Sequence, residues 1–193
     1  ILKNIFIVFI AFLFATILRT YIFQIYYIPS LSMFPNINMN DRVLVLKDKL
    51  FDIDYSVGDV IVFYSPESSI PNNSELLIEN LKLWELINNE ENKNQTVYIK
   101  RIIGTPGDEV SINENGEVFN NNIQVITENV ASTVILDEIV IKLSEDEYFL
   151  LGDNRDNSFD SRSFGPITSS RIIGKAFFKI YPLDQIQNLN DWK

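Results

Sequence analysis

The string Pro29-Ser30-Leu31-Ser32-Met33-Phe34-Pro35 places two hydroxyls two residues apart in a proline-bounded turn, and Tyr98-Ile99-Lys100-Arg101 supplies a lysine further along a chain that has neither histidine nor cysteine. A serine hydroxyl is a weak nucleophile until a base takes its proton. With no histidine there is no Ser-His-Asp triad, and with no cysteine there is no thiolate, so serine would need another base, for which lysine is the obvious candidate. A lysine serves only as the neutral amine. Its pKa must therefore fall from about 10.4 toward the working pH, and burial is the means. Side chains alternate along a strand, so Tyr98, Lys100 and Ile102 are expected on one face and Ile99, Arg101 and Ile103 on the other. The Lys100 ammonium would then emerge between an aromatic and a branched aliphatic residue, where water solvates it poorly.

Taken singly, a strand lysine reads as a solvated surface charge and a Pro-Ser-x-Ser-Met-x-Pro segment as a common turn. The third string, Gly152-Asp153-Asn154-Arg155-Asp156-Asn157-Ser158-Phe159-Asp160-Ser161-Arg162, is more specific, because a routine surface loop does not concentrate Gly, Asp, Asn, Arg and Ser so densely. A calcium loop built on Asp153, Asn154, Asp156 and Asp160 is the competing reading. Its spacing departs from the EF-hand register, and the interleaved Arg155 and Arg162 oppose a cation, so no metal site is expected.

The elements that must position these residues are mostly strands. Alternating or apolar runs at 26–28, 42–46, 59–64, 97–103, 110–112, 118–119, 123–126, 134–143 and 148–151 are punctuated by Gly, Pro, Asp or Asn, as in Val57-Gly58-Asp59 and Gly104-Thr105-Pro106-Gly107-Asp108. Residues 74–89 break the pattern, placing Leu77, Leu81, Trp84 and Asn88 on one helical face with Ser74 as the N-cap. This helix reads as a surface helix packed on the sheet, with a membrane-surface or substrate-gating role as the alternative. No internal repeat is visible.

The N-terminus is the compositional outlier. From Ile5 to Leu18 every residue is apolar except Thr16, with Lys3 and Arg19 as flanks. A bilayer-spanning helix needs about 20 residues. Residues 1–23 reach that length if Lys3 and Arg19 extend toward the headgroups. A buried core helix is the other reading, although no polar stripe marks a solvent face. The run leads into Tyr21-Ile22-Phe23-Gln24 rather than an Ala-x-Ala-like site, which argues against a cleavable signal peptide.

Composition limits the rest. A chain of 193 residues, 46% of them apolar, can bury one sizeable core or a core with a small appendage. The net charge of -10 repels phosphate backbones, so nucleic acid is a poor partner. Lack of cysteine leaves the redox compartment open.

In this order, behind an apolar segment, the three strings resemble those of the bacterial type I signal peptidases, membrane-anchored Ser-Lys proteases that cut signal peptides from exported proteins. The resemblance runs from about residue 21 to about residue 182. It implies a mostly β fold: a signal-peptidase-like β-sheet catalytic core with a small β-rich appendage, an inserted helix and an N-terminal transmembrane helix. The organisation expected is an anchor at 1–23, a catalytic domain at 24–182 containing a helical insertion at 65–97 and a β-rich cap at 107–147, and a C-terminal tail at 183–193. The resemblance makes Ser32 the nucleophile, Lys100 the general base and Ser30 an oxyanion donor beside the Ser32 N–H. It makes Ser158 the residue whose hydroxyl bonds and orients the Lys100 amine. Arg101, Asp153, Asp160 and Arg162 would form an ionic scaffold, and Tyr26, Ile28, Pro29, Met33, Ile37, Tyr98 and Ile99 would shape shallow apolar pockets for small residues one and three positions before the cut. No cofactor is implied. Expected partners are signal peptides of exported preproteins with Ala-x-Ala sites, the lipid bilayer and the protein export translocon. The expected location is the bacterial inner membrane, with the catalytic domain on its extracytoplasmic side. Two departures from the family pattern stand out: Leu31 where Gly is common, and Asn36 where Thr is common. Self-cleaving repressors also use Ser and Lys in a mostly β domain, but the apolar N-terminus and acidic balance oppose a DNA-binding partner. A tethered, catalytically dead binding module is the non-enzyme alternative.

Overall fold

The computed structural model describes residues 2–49, 52–72, 74–76, 96–125 and 138–190. Helix α1 (Leu2–Tyr21) contains neither Gly nor Pro. Its stretch Lys3–Tyr21 has a mean hydropathy of 1.9 and is long and apolar enough to cross a membrane. Large side chains from Ile5 to Ile17 are exposed, which sets aside a buried core helix. Its two threonines are buried and satisfy their own hydroxyls, Thr16 Oγ1 donating to Phe12 O and Thr20 Oγ1 to Thr16 O. Where the helix ends, the buried Lys47 donates from Nζ to Arg19 O at 3.2 Å and Thr20 O at 3.0 Å. These are carbonyls a terminating helix leaves without internal donors, and a cation suits that end of the dipole.

The strands follow as β1 (Phe23–Tyr27), β2 (Arg42–Lys47), β3 (Val60–Tyr64), β4 (Val97–Gly104), β5 (Glu109–Ile112), β6 (Val118–Asn120), β7 (Ile123–Gln124), β8 (Ile139–Lys142), β9 (Glu147–Leu151), β10 (Ile167–Thr168), β11 (Ile172–Tyr181) and β12 (Gln187–Asn188), with a short helix α2 (Ser161–Phe164) between β9 and β10. The larger sheet runs β1-β2-β11-β3-β4-β9-β10, with β12 added on β11; the smaller runs β7-β6-β5-β8. Every pairing between these strands is antiparallel.

Strand β3 shows why the run at 60–64 is apolar throughout rather than alternating. Val60, Val62 and Tyr64 enter one core cluster while Ile61 and Phe63 enter another on the opposite face, so both faces are covered. Strand β4 continues the division, with Ile99 in the first cluster and Ile102 in the second. Past a register shift at its end, Ile103 joins Val110, Ile112, Val118, Leu143, Phe149 and Leu151, which tie the small sheet to β4 and β9.

Two boundaries differ from those read in the sequence. The tail expected at 183–193 is folded through residue 190: a 3-10 turn at Leu183–Gln185 leads into β12, and Leu189 is buried in the first cluster. The helix expected to start on a Ser74 cap starts instead on Asn72. Asn72 Oδ1 accepts from the Glu75 N–H and Glu75 Oε2 accepts from the Asn72 N–H, both at 2.9 Å, and Ser74 Oγ donates to the same Asn72 oxygen. That reciprocal pair is a capping box. The remainder of this helix, with Leu77, Leu81, Trp84 and Asn88, lies outside the described residues, as does the first part of the strand expected at 134–143.

Candidate active site

Ser32 sits in the loop between β1 and β2, whose two ends are tied together. The Ile28 N–H donates to Asp41 O at 3.0 Å and the Asn40 N–H to Ile28 O at 2.9 Å. Asp41 also accepts the Asn38 N–H and lies 3.6 Å from the buried Lys179 ammonium. Inside the loop, the Phe34 N–H donates to Leu31 O and the Ile37 N–H to Met33 O, while Met33 and Ile37 sink into the core. Burying those two apolar residues draws Ser32 inward to 8% exposure.

Lys100 reaches Ser32 from β4. Its Nζ is 2.9 Å from Ser32 Oγ and 3.0 Å from Ile99 O, and lies 5.5 Å from the Tyr98 ring centroid, with the residue only 3% exposed. Burial pushes the amine down to about 8, against the opposing pull of Asp160 and Asp153. Ser30 Oγ stands 3.4 Å from Ser32 Oγ, so both hydroxyls and the lysine converge on one point.

The scaffold residues pair as their charges require. Arg101 grips Asp153 with Nε–Oδ1 at 2.8 Å and Nη2–Oδ2 at 2.6 Å, and its Nη1 donates to Gly58 O at 2.7 Å. Because Arg101 follows Lys100, this buried pair fixes β4 and its Lys100 against the loop after β9. Arg162 grips Asp160 through Nε at 2.8 Å and Nη2 at 2.9 Å, and also donates to Arg155 O. Asp160 accepts the Gly152 N–H and caps α2. Crowded among these groups, Arg155 is pushed down to about 10, by burial first and by Arg162 next.

Gly152 is the tightest point. A Cβ there would lie 2.2 Å from Ser158 Oγ and 2.5 Å from Ser32 O, so glycine is what lets the Ser158 side chain and the Ser32 backbone approach this closely. Ser158 itself departs from expectation. Its hydroxyl is buried and has no hydrogen-bond partner among the described residues, and the Lys100 amine donates to Ile99 O.

Among the pocket residues read from the sequence, Ile28, Met33, Ile37 and Ile99 belong to one buried cluster with Tyr26 packed against it, and Tyr98 packs against the cluster on the other face. Met33 and Ile37 have no exposed surface, so they back the site rather than open onto it; Pro29 is exposed. Two residues carry more than the sequence indicated. Asn36 donates from Nδ2 to Asp153 Oδ2 at 2.8 Å, and Asn154 donates from its backbone N–H to Ser32 O at 3.0 Å and from Nδ2 to Leu31 O at 3.1 Å. Asn36 was visible only as a departure where threonine is common, and Asn154 only as part of a polar run.

A loop serine bonded to a buried lysine on an antiparallel sheet is the arrangement of a serine hydrolase on a β scaffold. Residues 1–181 match the family described as "Signal peptidase, peptidase S26", and the chain belongs to that family. It is 33% identical over 173 residues to a signal peptidase I of Leptolyngbya laminosa, covering 89% of this chain and 75% of that one. It is 30% identical over 174 residues to a probable signal peptidase I-2 of Synechocystis, covering 90% and 70%. A solved signal peptidase I from Enterococcus faecalis matches with a TM-score of 0.43 at 22% identity, covering 64% of this chain and 97% of that one. The chain is thus a serine protease of the signal peptidase I type, an enzyme class that removes signal peptides.

Proposed function

We propose that this protein is a membrane-bound serine endopeptidase in which Ser32 attacks the scissile carbonyl and neutral Lys100 takes its proton. The observation that carries the reading is the 2.9 Å contact between Lys100 Nζ and Ser32 Oγ at a lysine that is 3% exposed. With the amine neutral, the Ser32 hydroxyl donates to the Nζ lone pair while an amine N–H stays on Ile99 O, aligning the pair for proton transfer. The Ser30 hydroxyl and the Ser32 N–H are positioned to receive the oxyanion of the tetrahedral intermediate, the kind of preorganised donor whose loss typically costs about 3–4 kcal/mol of transition-state stabilisation. Lys100 then returns the proton to the leaving amine, and water hydrolyses the acyl-enzyme with the same lysine as base. Small residues one and three positions before the cut suit the shallow apolar surface backed by Ile28, Met33 and Ile99. Helix α1 is the anchor, and since only ten residues separate Tyr21 from Ser32 the site stands close to the membrane surface, on the extracytoplasmic side of a bacterial plasma membrane where preproteins emerge from the export translocon.

The test is incubation of the detergent-solubilised protein with a preprotein carrying an Ala-x-Ala site, followed by N-terminal sequencing of the product. Cleavage after the second alanine, abolished in Ser32→Ala, is the expected result. A Ser32→Ala protein that still cleaves there overturns the proposal.

A further inference from the structure

Both peptide groups that flank Ser32 end on one residue. The Leu31 carbonyl, in the peptide that carries the Ser32 N–H, accepts from Asn154 Nδ2 at 3.1 Å. The Ser32 carbonyl, in the next peptide, accepts from the Asn154 backbone N–H at 3.0 Å. A trans peptide is planar, with C=O and N–H pointing opposite ways. Fixing the direction of Leu31 O therefore fixes the direction of the Ser32 N–H. Leu31 O also accepts the Phe34 N–H, so both its lone-pair directions are used. A carbonyl polarised by two donors makes its own N–H a stronger donor.

A second strut runs parallel to the first. Asn36, five residues after Leu31, donates to the Asp153 oxygen that Arg101 Nη2 also holds, and Asp153 adjoins Asn154. The loop that carries the nucleophile is thus tied to the segment after β9 at Leu31, Ser32 and Asn36, and that segment is bound through Arg101 to the strand of Lys100.

We infer that Asn154 is the positioning residue of the oxyanion site: its side-chain amide, by holding Leu31 O, aims the Ser32 N–H at the developing oxyanion, while its backbone N–H sets the orientation of Ser32 itself. Asn154 touches neither substrate nor the reacting atoms, so it acts through the Ser32 peptide. The inference rests on Ser32 being the nucleophile.

The experiment uses the full chain in detergent with a peptide substrate, and a peptide aldehyde of the same sequence as a tetrahedral-adduct inhibitor. Asn154→Ala removes the side-chain donor but keeps the backbone N–H. Asn154→Asp does the same with almost no change of shape, which guards against a folding defect. Each is expected to lower kcat by about tenfold to a hundredfold, with KM within about twofold and aldehyde affinity reduced by the same factor as kcat/KM. In Asn154→Ala the acid limb of the pH profile should stay where Lys100 sets it. A merely structural role would lower the melting temperature and active fraction without moving aldehyde affinity in step with kcat/KM. Wild-type kcat in Asn154→Ala, or aldehyde binding unchanged while kcat falls, overturns the inference. Ser32→Ala in the same assay separates the two levels. If it is inactive while Asn154→Ala is fully active, only the role of Asn154 fails; if it remains active, the nucleophile assignment fails first.

Discussion

At the scale of single residues, the decisive quantity in the proposed mechanism is the protonation of one amine. Lys100 is held down to about 8 chiefly by burial, so the reactive fraction rises about tenfold per pH unit below that value and levels off above it. The acid limb of kcat/KM is therefore expected to bend near pH 8. Lys100→Arg should be as inactive as Lys100→Ala, because a guanidinium keeps its proton at any accessible pH. Appreciable cleavage by Lys100→Arg would mean that the position contributes charge alone. Stability carries the same signature with a defined sign. An amine lowered from 10.5 to about 8 binds fewer protons in the folded than in the unfolded state between those values, so stability rises with pH across that window. The rise amounts to about 3 kcal/mol from about 1.4 kcal/mol per pH unit. Lys100→Met should flatten it, and denaturant titrations at pH 7 and pH 10 would show whether it does.

At the scale of elements, the site depends on close approach between the β1–β2 loop and the segment after β9. Gly152→Ala places a methyl carbon within 2.5 Å of both Ser158 Oγ and Ser32 O, and one of these is backbone that cannot swing aside. The expected loss of kcat is a hundredfold or so, since small displacements of reacting groups cost that much. Measured turnover near wild type would show that the loop yields cheaply. A different element junction governs the end of α1. Lys47 satisfies two terminal carbonyls of α1 from a position that is 3% exposed. Lys47→Met leaves those carbonyls without their donor and is expected to cost about 1–3 kcal/mol. In a thermal melt of the detergent-solubilised protein the variant should unfold at lower temperature while peptide cleavage below the transition persists.

At the scale of the whole molecule, the chain end closes the core. Leu189 is 5% exposed within the cluster that also contains Ile28, Met33 and Ile99, and its N–H donates to Phe177 O. Leu189→Ala should destabilise the protein by about 2–4 kcal/mol, the ordinary cost of emptying a buried leucine site. Because the same cluster backs Ser32, partial loss of peptide cleavage should accompany it well below the melting transition. A denaturant midpoint equal to wild type would return residues 183–190 to the status of a tail.

What the sequence determined by itself was mostly a matter of residue type and local pattern. The absence of His and Cys made lysine the obvious candidate base for a serine, and period-two or apolar runs marked β2, β3, β4 and β9 because burial of one or both faces is written directly into successive side chains. Asn72 is also locally legible, since Glu75 three residues on completes its capping box, but Ser74 is an equally common cap type and competes with it in the sequence. Tertiary structure alone decided the rest. Ser32 and Lys100 are 68 residues apart in the chain, and the packing of Met33 and Ile37 beneath the loop, with the ties from Asn36 and Asn154, brings their polar atoms to 2.9 Å. The two bonds from Asn154 to the peptides around Ser32 are likewise contacts between distant segments. Hydrogen-bond direction depends on the relative placement of those segments to within a fraction of an ångström, and no local pattern of residue types encodes that.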